Sequence, residues 1–368
     1  MTDYLILFED CRIVRGYLNN VIYDLHRTHN SNIIPDDMVN FIEKCKRRNL
    51  SDVFNSYSID EQNIVDGYLN FLLDREYAFL ADEHMLEHMG SLSLEYDTPS
   101  IIHNAILCID KTSSTTKIFK QLNNLLCENL ELRIKQIKMS EFNNILSELI
   151  DSTIEVIVIH TEFNNYYSDI FFKKHIQKNP RLKQVLVYGA PFHNDFGNVK
   201  FFKNTVKFNE DCGFIEKEDF TINQPFFIQS QSCNTCLYKK ISVDFDGSIK
   251  SCPSSKQSFG HVSHITLDSV VKQDGFTKLW NVRKDDIEVC KDCEYRHMCM
   301  DCRVFIDDLN NIYSRPAKCN YNPYIAKWKG EEGYRSLAEC GVVSNEKGFS
   351  IDHELIAAIN EELWGGDE

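Results

Sequence analysis

The stretch NAILCID, residues 104–110, begins the series of short apolar runs that decides the fold of this chain. Three more runs follow at nearly even spacing: LELRI (130–134), EVIVI (155–159) and QVLVY (184–188). Continuous apolar runs predict buried strands, and the amphipathic segments between them predict helices of the length that parallel strands need as crossovers. With VKFFKNTV (199–206) as a fifth strand, residues 95–222 are predicted to form an α/β unit, either a partial βα barrel or an open sheet.

Residues 1–85 have a different pattern, which predicts a small α+β unit. Three short β-prone runs come first: YLILF (4–8), CRIV (11–14) and VIYDL (21–25). A helix is then predicted from Pro35, because proline suits the first helical position. A second helix is predicted from Ser58 to about Arg75, because Ser58 and Glu61 form a capping-box pattern.

The charge of the chain argues against two classes of partner. There are 40 Lys and Arg against 55 Asp and Glu, a net charge of −15. A field of that sign repels phosphate backbones and anionic lipid, so we expect no nucleic-acid and no membrane partner. The N-terminus lacks the basic start of a signal peptide, and no run of about 18 apolar residues occurs. The sequence therefore predicts a soluble cytoplasmic protein.

Cysteine is the one abnormal count, with 14 in the chain. Without an export signal, such an excess indicates metal binding and not disulfides. Eight of these cysteines fall in one segment: Cys233, Cys236, Cys252, Cys290, Cys293, Cys299, Cys302 and Cys319. The other six are scattered and are expected to be small buried hydrophobes: Cys11, Cys45, Cys108, Cys127, Cys212 and Cys340.

The spacing of the eight cysteines predicts two four-thiolate sites. Two Cys-x2-Cys pairs are present, and a hairpin predicted at ISVDFDGSIK (241–250) would return Cys252 toward Cys236. Four thiolates suit a zinc ion and an iron–sulfur cluster alike, so the ligand count leaves the metal open. Buried free thiols are a third interpretation, which the paired spacing disfavours.

At these cysteines the sequence resembles the SPASM domain, which holds two auxiliary iron–sulfur clusters in many peptide-modifying radical SAM enzymes. The matching segments are GSIKSC (247–252), FGHV (259–262) and CKDCEYRHMCMDCR (290–303). The resemblance implies two [4Fe–4S] clusters, and its wiring assigns them as follows: Cys233, Cys236, Cys252 and Cys302 to the first cluster, and Cys290, Cys293, Cys299 and Cys319 to the second. The sequence departs from the family before Cys302, where the usual gap of three residues is two.

A radical SAM enzyme also carries a Cys-x3-Cys-x2-Cys motif after its first barrel strand, and this chain has none. The loop after NAILCID is KTSSTTK (111–117), and the nearest thiol, Cys108, lies within the predicted strand. The resemblance therefore implies a degenerate partial barrel without the cluster that cleaves S-adenosylmethionine.

Over most of its length the chain resembles a narrower family, the grasp-with-spasm system SPASM-domain peptide maturases. The resemblance is strongest in three segments: CKDCEYRHMCMDCRVFID (290–307), IYSRPAKCNYNPY (312–324) and FEDCRIVRGYLNNVIYDLHRTHNSNIIPDD (8–37). It implies that the protein acts beside an ATP-grasp ligase on a ribosomally synthesised and post-translationally modified peptide (RiPP). No catalytic residue follows from it.

The N-terminal unit also looks like the winged-helix-like elements that bind leader peptides by adding a strand to a sheet edge. From the residues alone it is only an α+β domain. The candidate peptide-binding residues are Val21, Ile22, Tyr23, Asp24, Leu25, Lys44, Arg47 and Arg48. The basic ones among them are also consistent with a solvated helix end.

The predicted organisation is a peptide-recognition unit (1–85), the βα unit (95–222), a SPASM domain with two metal sites (225–330) and an acidic C-terminal tail (331–368) with a short helix. The leading functional hypothesis is a binding and scaffolding protein in peptide maturation. The alternatives are an enzyme that uses the auxiliary clusters for redox chemistry, and a zinc-stapled scaffold. The motif of His84, Glu87 and His88 resembles an inverted zinc-protease site, but its polar surroundings do not suit a buried catalytic helix.

Overall fold

The computed structural model describes residues 3–27, 30–88, 90–110, 115–135, 137–345 and 348–365. It is a mixed α/β structure organised on an eight-stranded, mostly parallel sheet, which confirms the predicted fold class. Residues 111–114 of the loop after NAILCID lie outside the described residues. Within those residues, no helix is both long and apolar enough to cross a membrane.

The N-terminal unit combines short strands with helices. Its strands are β1 (Tyr4–Leu7), β2 (Cys11–Arg15), β3 (Asn20–Asp24), β4 (Asn30–Ile34) and β5 (Ala78–Ala81). Its helices are α1 (Asp36–Cys45), α2 (Leu50–Phe54), α3 (Ile59–Asp74) and α4 (Glu83–His88). Strands β2, β3 and β4 form an antiparallel sheet in that order, and β1 pairs with β5. The three predicted strands and two predicted helices are present, whereas β4, β5, α2 and α4 are additional elements that no pattern predicts.

Strand β3 is the central strand of its sheet. It pairs with β2 on one side, where Tyr23 lies opposite Arg12, and with β4 on the other, where Tyr23 lies opposite Ser31. All five of its residues are buried. Both edges of β3 are therefore hydrogen-bonded, so residues 20–24 offer no free edge to which a peptide could add a strand.

The N-terminus of α3 has the capping box that the sequence predicts. The Ser58 hydroxyl accepts a hydrogen bond from the backbone N–H of Glu61, and the Glu61 carboxylate accepts one of 2.8 Å from the backbone N–H of Ser58. These bonds pair two N–H groups that a helix end otherwise leaves free.

We expect Ser58→Ala to lower the free energy of unfolding by about 1 kcal/mol, because the reciprocal cap is lost. Urea denaturation followed by circular dichroism measures the change. Ser91→Ala, at an exposed position outside any helix, is the matched control and should have no measurable effect. Equal stability of the two variants would contradict the prediction.

The central sheet contains the strands predicted for residues 95–222. The strands are β6 (Asn104–Ile109), β7 (Asn129–Ile134), β8 (Val156–Glu162), β9 (Leu182–Tyr188), β10 (Asn194–Asp195), β11 (Val199–Phe202), β12 (Lys240–Val243) and β13 (Ile249–Lys250). Their order across the sheet is β10-β11-β9-β8-β7-β6-β12-β13, with β10 and β13 antiparallel at the two edges. The described strand order is that of an open sheet.

Helices α5 (Thr115–Asn124), α6 (Met139–Glu148) and α7 (Asp169–Lys178) connect the first four strands of this sheet. Leu132, Ile159 and Val187, from three neighbouring strands, belong to one buried cluster with Phe142 and Phe172 from the helices. Helix α6 begins at Met139, and the backbone N–H of Lys138 before it donates to the Glu141 carboxylate. The sheet therefore buries one face under its crossover helices.

The cysteine-rich region contributes to the same sheet. After α8 (Gln224–Ser232), strand β12 pairs in parallel with β6, where Ile241 lies opposite Ala105 and Val243 opposite Leu107. Ile241 and Val243 thereby cover the apolar edge that β6 would otherwise expose. The boundary predicted between residues 222 and 225 does not separate two sheets. The predicted hairpin is present, and Gly247 adopts the φ of +83° that its turn requires.

The C-terminal part holds short elements: α9 (Leu267–Val271), β14 (Tyr321–Asn322), β15 (Lys327–Trp328), β16 (Val342–Asn345), β17 (Gly348–Ile351) and α10 (His353–Trp364). The short helix predicted in the tail is therefore present as α10. Its Ile356 and Ile359 are buried in one cluster with Val289 and Tyr324, whereas Leu355 is exposed. The described residues 331–345 and 348–365 are a packed element and not a free tail.

Candidate metal centres and the adjoining groove

The four cysteines assigned to the second cluster surround one cavity, named here site 2. Cys290, Cys293, Cys299 and Cys319 line one small cavity. A short 3-10 turn at Cys290–Asp292 brings the first two thiols to the same loop, and the backbone N–H of Cys293 donates to the carbonyl of Cys290 at 3.0 Å. Cys319 arrives from the other side, on a bridge with Ile215.

Aromatic side chains form a wall of site 2. Phe220, Tyr295, Tyr321 and Trp328 line the cavity with the cysteines. Their ring centroids are 5.1 Å apart for Phe220 and Tyr295, 5.1 Å for Tyr295 and Tyr321, and 4.9 Å for Tyr321 and Trp328. The buried indole N–H of Trp328 has no hydrogen-bond partner among the described residues. These rings give site 2 an aromatic wall.

Three of the four cysteines assigned to the first cluster, named here site 1, are neighbours of one another. Burial raises the pKa of Cys236, and the nearby Cys252 raises it further. Burial also raises the pKa of Cys302, and Cys236 and Cys252 add to this effect. Gly213 packs so closely that a Cβ there would lie 2.9 Å from the Cys302 sulfur. Cys233 lies beside Tyr238. Burial, and then the nearby Cys233, raise the pKa of Tyr238 to about 12.

Burial keeps Cys290, Cys293, Cys299 and Cys302 protonated in the metal-free protein at neutral pH, because it raises the pKa of each thiol. Burial raises the pKa of Cys299 to about 12 and that of Cys302 to about 11, and it also raises the pKa of Cys290 and Cys293. The thiolate is the form that binds a metal. Metal binding at these sites must therefore release protons.

The arrangement of donors bears on which metal fits. In a four-thiolate zinc site the Zn–S bonds of about 2.3 Å bring the sulfurs to roughly 3.8 Å from one another. Across the described ranges, no three or more His, Cys, Asp or Glu side chains are positioned to hold one metal ion. A [4Fe–4S] cluster binds each thiolate to its own iron, so its ligands surround a cavity without meeting at a point. The four thiols of site 2 surround one cavity, as the ligands of such a cluster would.

Two lysines at these sites are not predicted from the sequence. The ammonium of Lys284 lies 3.5 Å from the Cys299 sulfur and 3.8 Å from the Cys290 sulfur. The ammonium of Lys240 lies 3.4 Å from the Cys236 sulfur. No pattern in the sequence distinguishes these two lysines from solvent-exposed ones, since only the tertiary fold turns them inward.

A groove lies between the N-terminal unit and site 2, and no sequence pattern predicts it either. Its lining residues are Val21, Ser31, Asn32, Ile33, Lys217, Phe220, Ile222, Tyr295 and Met298. Ser31, Asn32 and Ile33 belong to β4, the edge strand, and Ile33 is 56% exposed. Phe220 and Tyr295 line this groove and the cavity of site 2 alike. The groove and site 2 therefore share one wall.

The turn between β2 and β3 docks on the loop between Cys293 and Cys299. The backbone N–H of Tyr17 donates to the Asp292 carbonyl at 2.7 Å, and the Tyr23 hydroxyl donates to the Glu294 carbonyl. Gly16 allows the close approach, because a Cβ there would lie 2.8 Å from the Glu294 nitrogen. The N-terminal unit thus contacts the loop that carries Cys293 and Cys299, two of the cysteines assigned to site 2.

The remaining predicted residues are spread over other surfaces. Arg47 lines a groove between α1 and strands β1 and β2, whereas Lys44 lies 3.9 Å from the Tyr57 ring centroid in a second groove. Arg48 is exposed, and it lines neither of these two grooves. His84 and His88 stack on an exposed helix with centroids 4.5 Å apart. The basic residues therefore do not form one patch at the edge strand.

No protein-family model and no curated protein matches the chain. Two similar solved structures are both of SuiB from Streptococcus suis. SuiB bound to S-adenosylmethionine shares 10% identity at a TM-score of 0.30, over 82% of this chain and 96% of the SuiB chain. SuiB bound to the precursor peptide SuiA shares 9% identity at a TM-score of 0.28, over 85% and 98%. These TM-scores are too low to establish a common fold, so the function proposed for this chain rests on its own residues.

Proposed function

We propose that this chain binds a ribosomally made precursor peptide and supports its modification by a partner ATP-grasp ligase, with two [4Fe–4S] clusters in the cysteine-rich region. The observation that most supports this proposal is the wall that the groove and site 2 share. A peptide held in the groove would contact Phe220 and Tyr295, whose rings also line the cavity of the four cysteines. Peptide binding and the metal centre would then be neighbours.

The peptide would bind by adding a strand to β4. In the described sheet β4 is hydrogen-bonded to β3 and stands at the edge, so its outer N–H and C=O groups are available for main-chain pairing. The exposed Ile33 offers an apolar contact beside Phe220 and Met298. This edge takes the place of residues 21–25 in the peptide-binding proposal.

A second candidate function is an enzyme that uses site 1 for redox chemistry. The supporting observation is that Cys233 lies beside Tyr238 and Tyr96; without Cys233 as a ligand, site 1 keeps three thiolates. A cluster held by three thiolates has one iron open to substrate. Mass spectrometry of the precursor, incubated with the reduced protein and without the ligase, separates the two functions, since only the enzyme would change the peptide mass.

The test of the leading proposal is co-purification. The affinity-tagged chain is expressed anaerobically in its native host, and the bound peptides and proteins are identified by mass spectrometry. We expect one peptide and the ligase to be retained at micromolar concentration. Retention of neither would refute the scaffolding function.

We expect Ile33→Asn to weaken binding of that peptide about tenfold, because burying one aliphatic side chain is worth roughly 1.5 kcal/mol. Fluorescence anisotropy with the labelled peptide measures the dissociation constant. Ile64→Asn is the matched control, since Ile64 is 55% exposed but lines a different groove. If the two variants weaken binding equally, the peptide does not bind along β4.

A further inference from the structure

Lys284 is a buried ammonium at site 2 with unusual neighbours. Its side chain is 3% exposed, and its nitrogen lies 3.5 Å from the Cys299 sulfur and 3.8 Å from the Cys290 sulfur. One carboxylate is near, with Asp301 Oδ1 at 3.8 Å. A buried charge is strongly unfavourable unless an opposite charge compensates it.

That carboxylate is already engaged by other groups. Arg303 lies 2.7 Å from Asp301 Oδ1, and the Asn234 amide donates to Asp301 Oδ2 at 2.6 Å. The side chains of Arg303 and Asp301 are each 1% exposed. This buried group thus contains two cations and one anion, which leaves one positive charge beside the sulfurs of Cys290 and Cys299. Neutral thiols cannot balance it, whereas metal-bound thiolates can.

At site 1, too, a lysine ammonium lies against the sulfur of a predicted ligand. The ammonium of Lys240, at the first position of β12, donates to the Cys236 sulfur at 3.4 Å. The pairing of β12 with β6 fixes this backbone position, with Lys240 opposite Asn104. Each of the two sites therefore has one lysine in contact with a predicted ligand sulfur.

We infer that Lys284 and Lys240 are built-in counter-charges of the two metal centres, and that each tunes the reduction potential of its own cluster. The inference rests on the proposed clusters. Reduction adds one electron to a cluster and makes it more negative, so a fixed positive charge at a ligand sulfur favours the reduced state. Removing that charge should lower the potential of the neighbouring cluster.

The test uses the full chain, reconstituted anaerobically with ferrous iron and sulfide. Iron content is measured first, and midpoint potentials are then measured by dithionite titration followed by electron paramagnetic resonance. We expect Lys284→Met to shift the reduction equilibrium of one cluster at least tenfold toward the oxidised state, about 59 mV for one electron. Lys240→Met should shift the other cluster by a similar factor.

Two further variants make the test specific. Lys291→Met is the matched control, because Lys291 follows Cys290 but is exposed with its ammonium 5.1 Å from the Phe349 ring centroid. It should leave both potentials within twofold of the wild-type equilibrium. Lys284→Arg retains the charge and should keep the cluster and most of the potential. Loss of one cluster from Lys284→Met but not from Lys284→Arg would also support the inference.

Failure of the counter-charge inference can be told apart from failure of the cluster proposal. If the wild-type protein holds both clusters and Lys284→Met and Lys240→Met leave the potentials unchanged, the counter-charge inference is wrong and the cluster proposal stands. The counter-charge inference is equally wrong if Lys284→Arg behaves as Lys284→Met does. If the wild-type protein takes up no iron, the cluster proposal fails first and the inference fails with it.

Discussion

Replacing Cys290 and Cys293 together by serine is expected to halve the iron content of the reconstituted protein, from about eight to about four atoms per chain. Both thiols line site 2 and come from one tight turn, so the double change removes half of that ligand set. A serine hydroxyl ionises too weakly to replace a thiolate at neutral pH. Three of the four thiols of site 1, Cys233, Cys236 and Cys252, come from other segments, and its cluster should remain.

Iron and sulfide analysis with the visible absorption spectrum measures this change. Cys212→Ser is the control, because Cys212 is the half-buried scattered cysteine whose thiol lies 2.9 Å from the Ser254 hydroxyl and which is not among the eight predicted ligands. It should keep all the iron. Full iron retention in the double variant, or iron loss in Cys212→Ser, would show that the ligand assignment is wrong.

Metal removal is expected to unfold much of the cysteine-rich region while the central sheet persists. Between β13 and β14 the described chain has little regular structure, with α9 and two short 3-10 turns. Ordering each such residue costs on the order of 1 to 2 kcal/mol, and metal–ligand bonds offset that cost. We expect residues 252–320 to lose hydrogen-exchange protection after oxidative chelation, and the first thermal transition to fall by about 10 °C or more.

The loss of metal should also depend on pH. Since burial raises the pKa of Cys299 to about 12, a released thiolate takes up a proton at any pH near neutral. Chelation should therefore be easier as the pH falls, with proton uptake measurable in weak buffer. Strands β6 to β9 serve as the internal control, because their protection should not change. Unchanged protection in residues 252–320 would show that the metals do not hold this region together.

The sequence predicts the central sheet well for a physical reason. EVIVI (155–159) and QVLVY (184–188) are mostly apolar, and every second side chain along these runs is buried against the crossover helices. Strand β4, with the sequence NSNII, is polar and half-exposed, so no such run marks it. The pairing of β12 with β6 joins segments far apart in sequence, and local patterns carry no information about it.

The same limit applies to the sites. Cys-x2-Cys spacing predicts which thiols share a turn, as it does for Cys290 and Cys293, because that geometry is local. The position of Cys233 beside Tyr238 depends on packing. The central position of β3, at VIYDL (21–25), agrees with its mostly apolar sequence, since such runs are typical of strands paired on both sides. An edge strand exposes one side to water and is more often polar, as β4 is.

The close contact at Gly16 has a consequence for how the protein matures. The N-terminal unit contacts the backbone of the Cys293–Cys299 loop through Gly16, Tyr17 and Tyr23. These contacts can form only when that loop is ordered. If the proposed cluster orders the loop, a newly made chain without iron lacks the surface that completes the peptide groove. Cluster insertion then has to precede peptide binding, and only a chain that holds its cluster binds the precursor peptide.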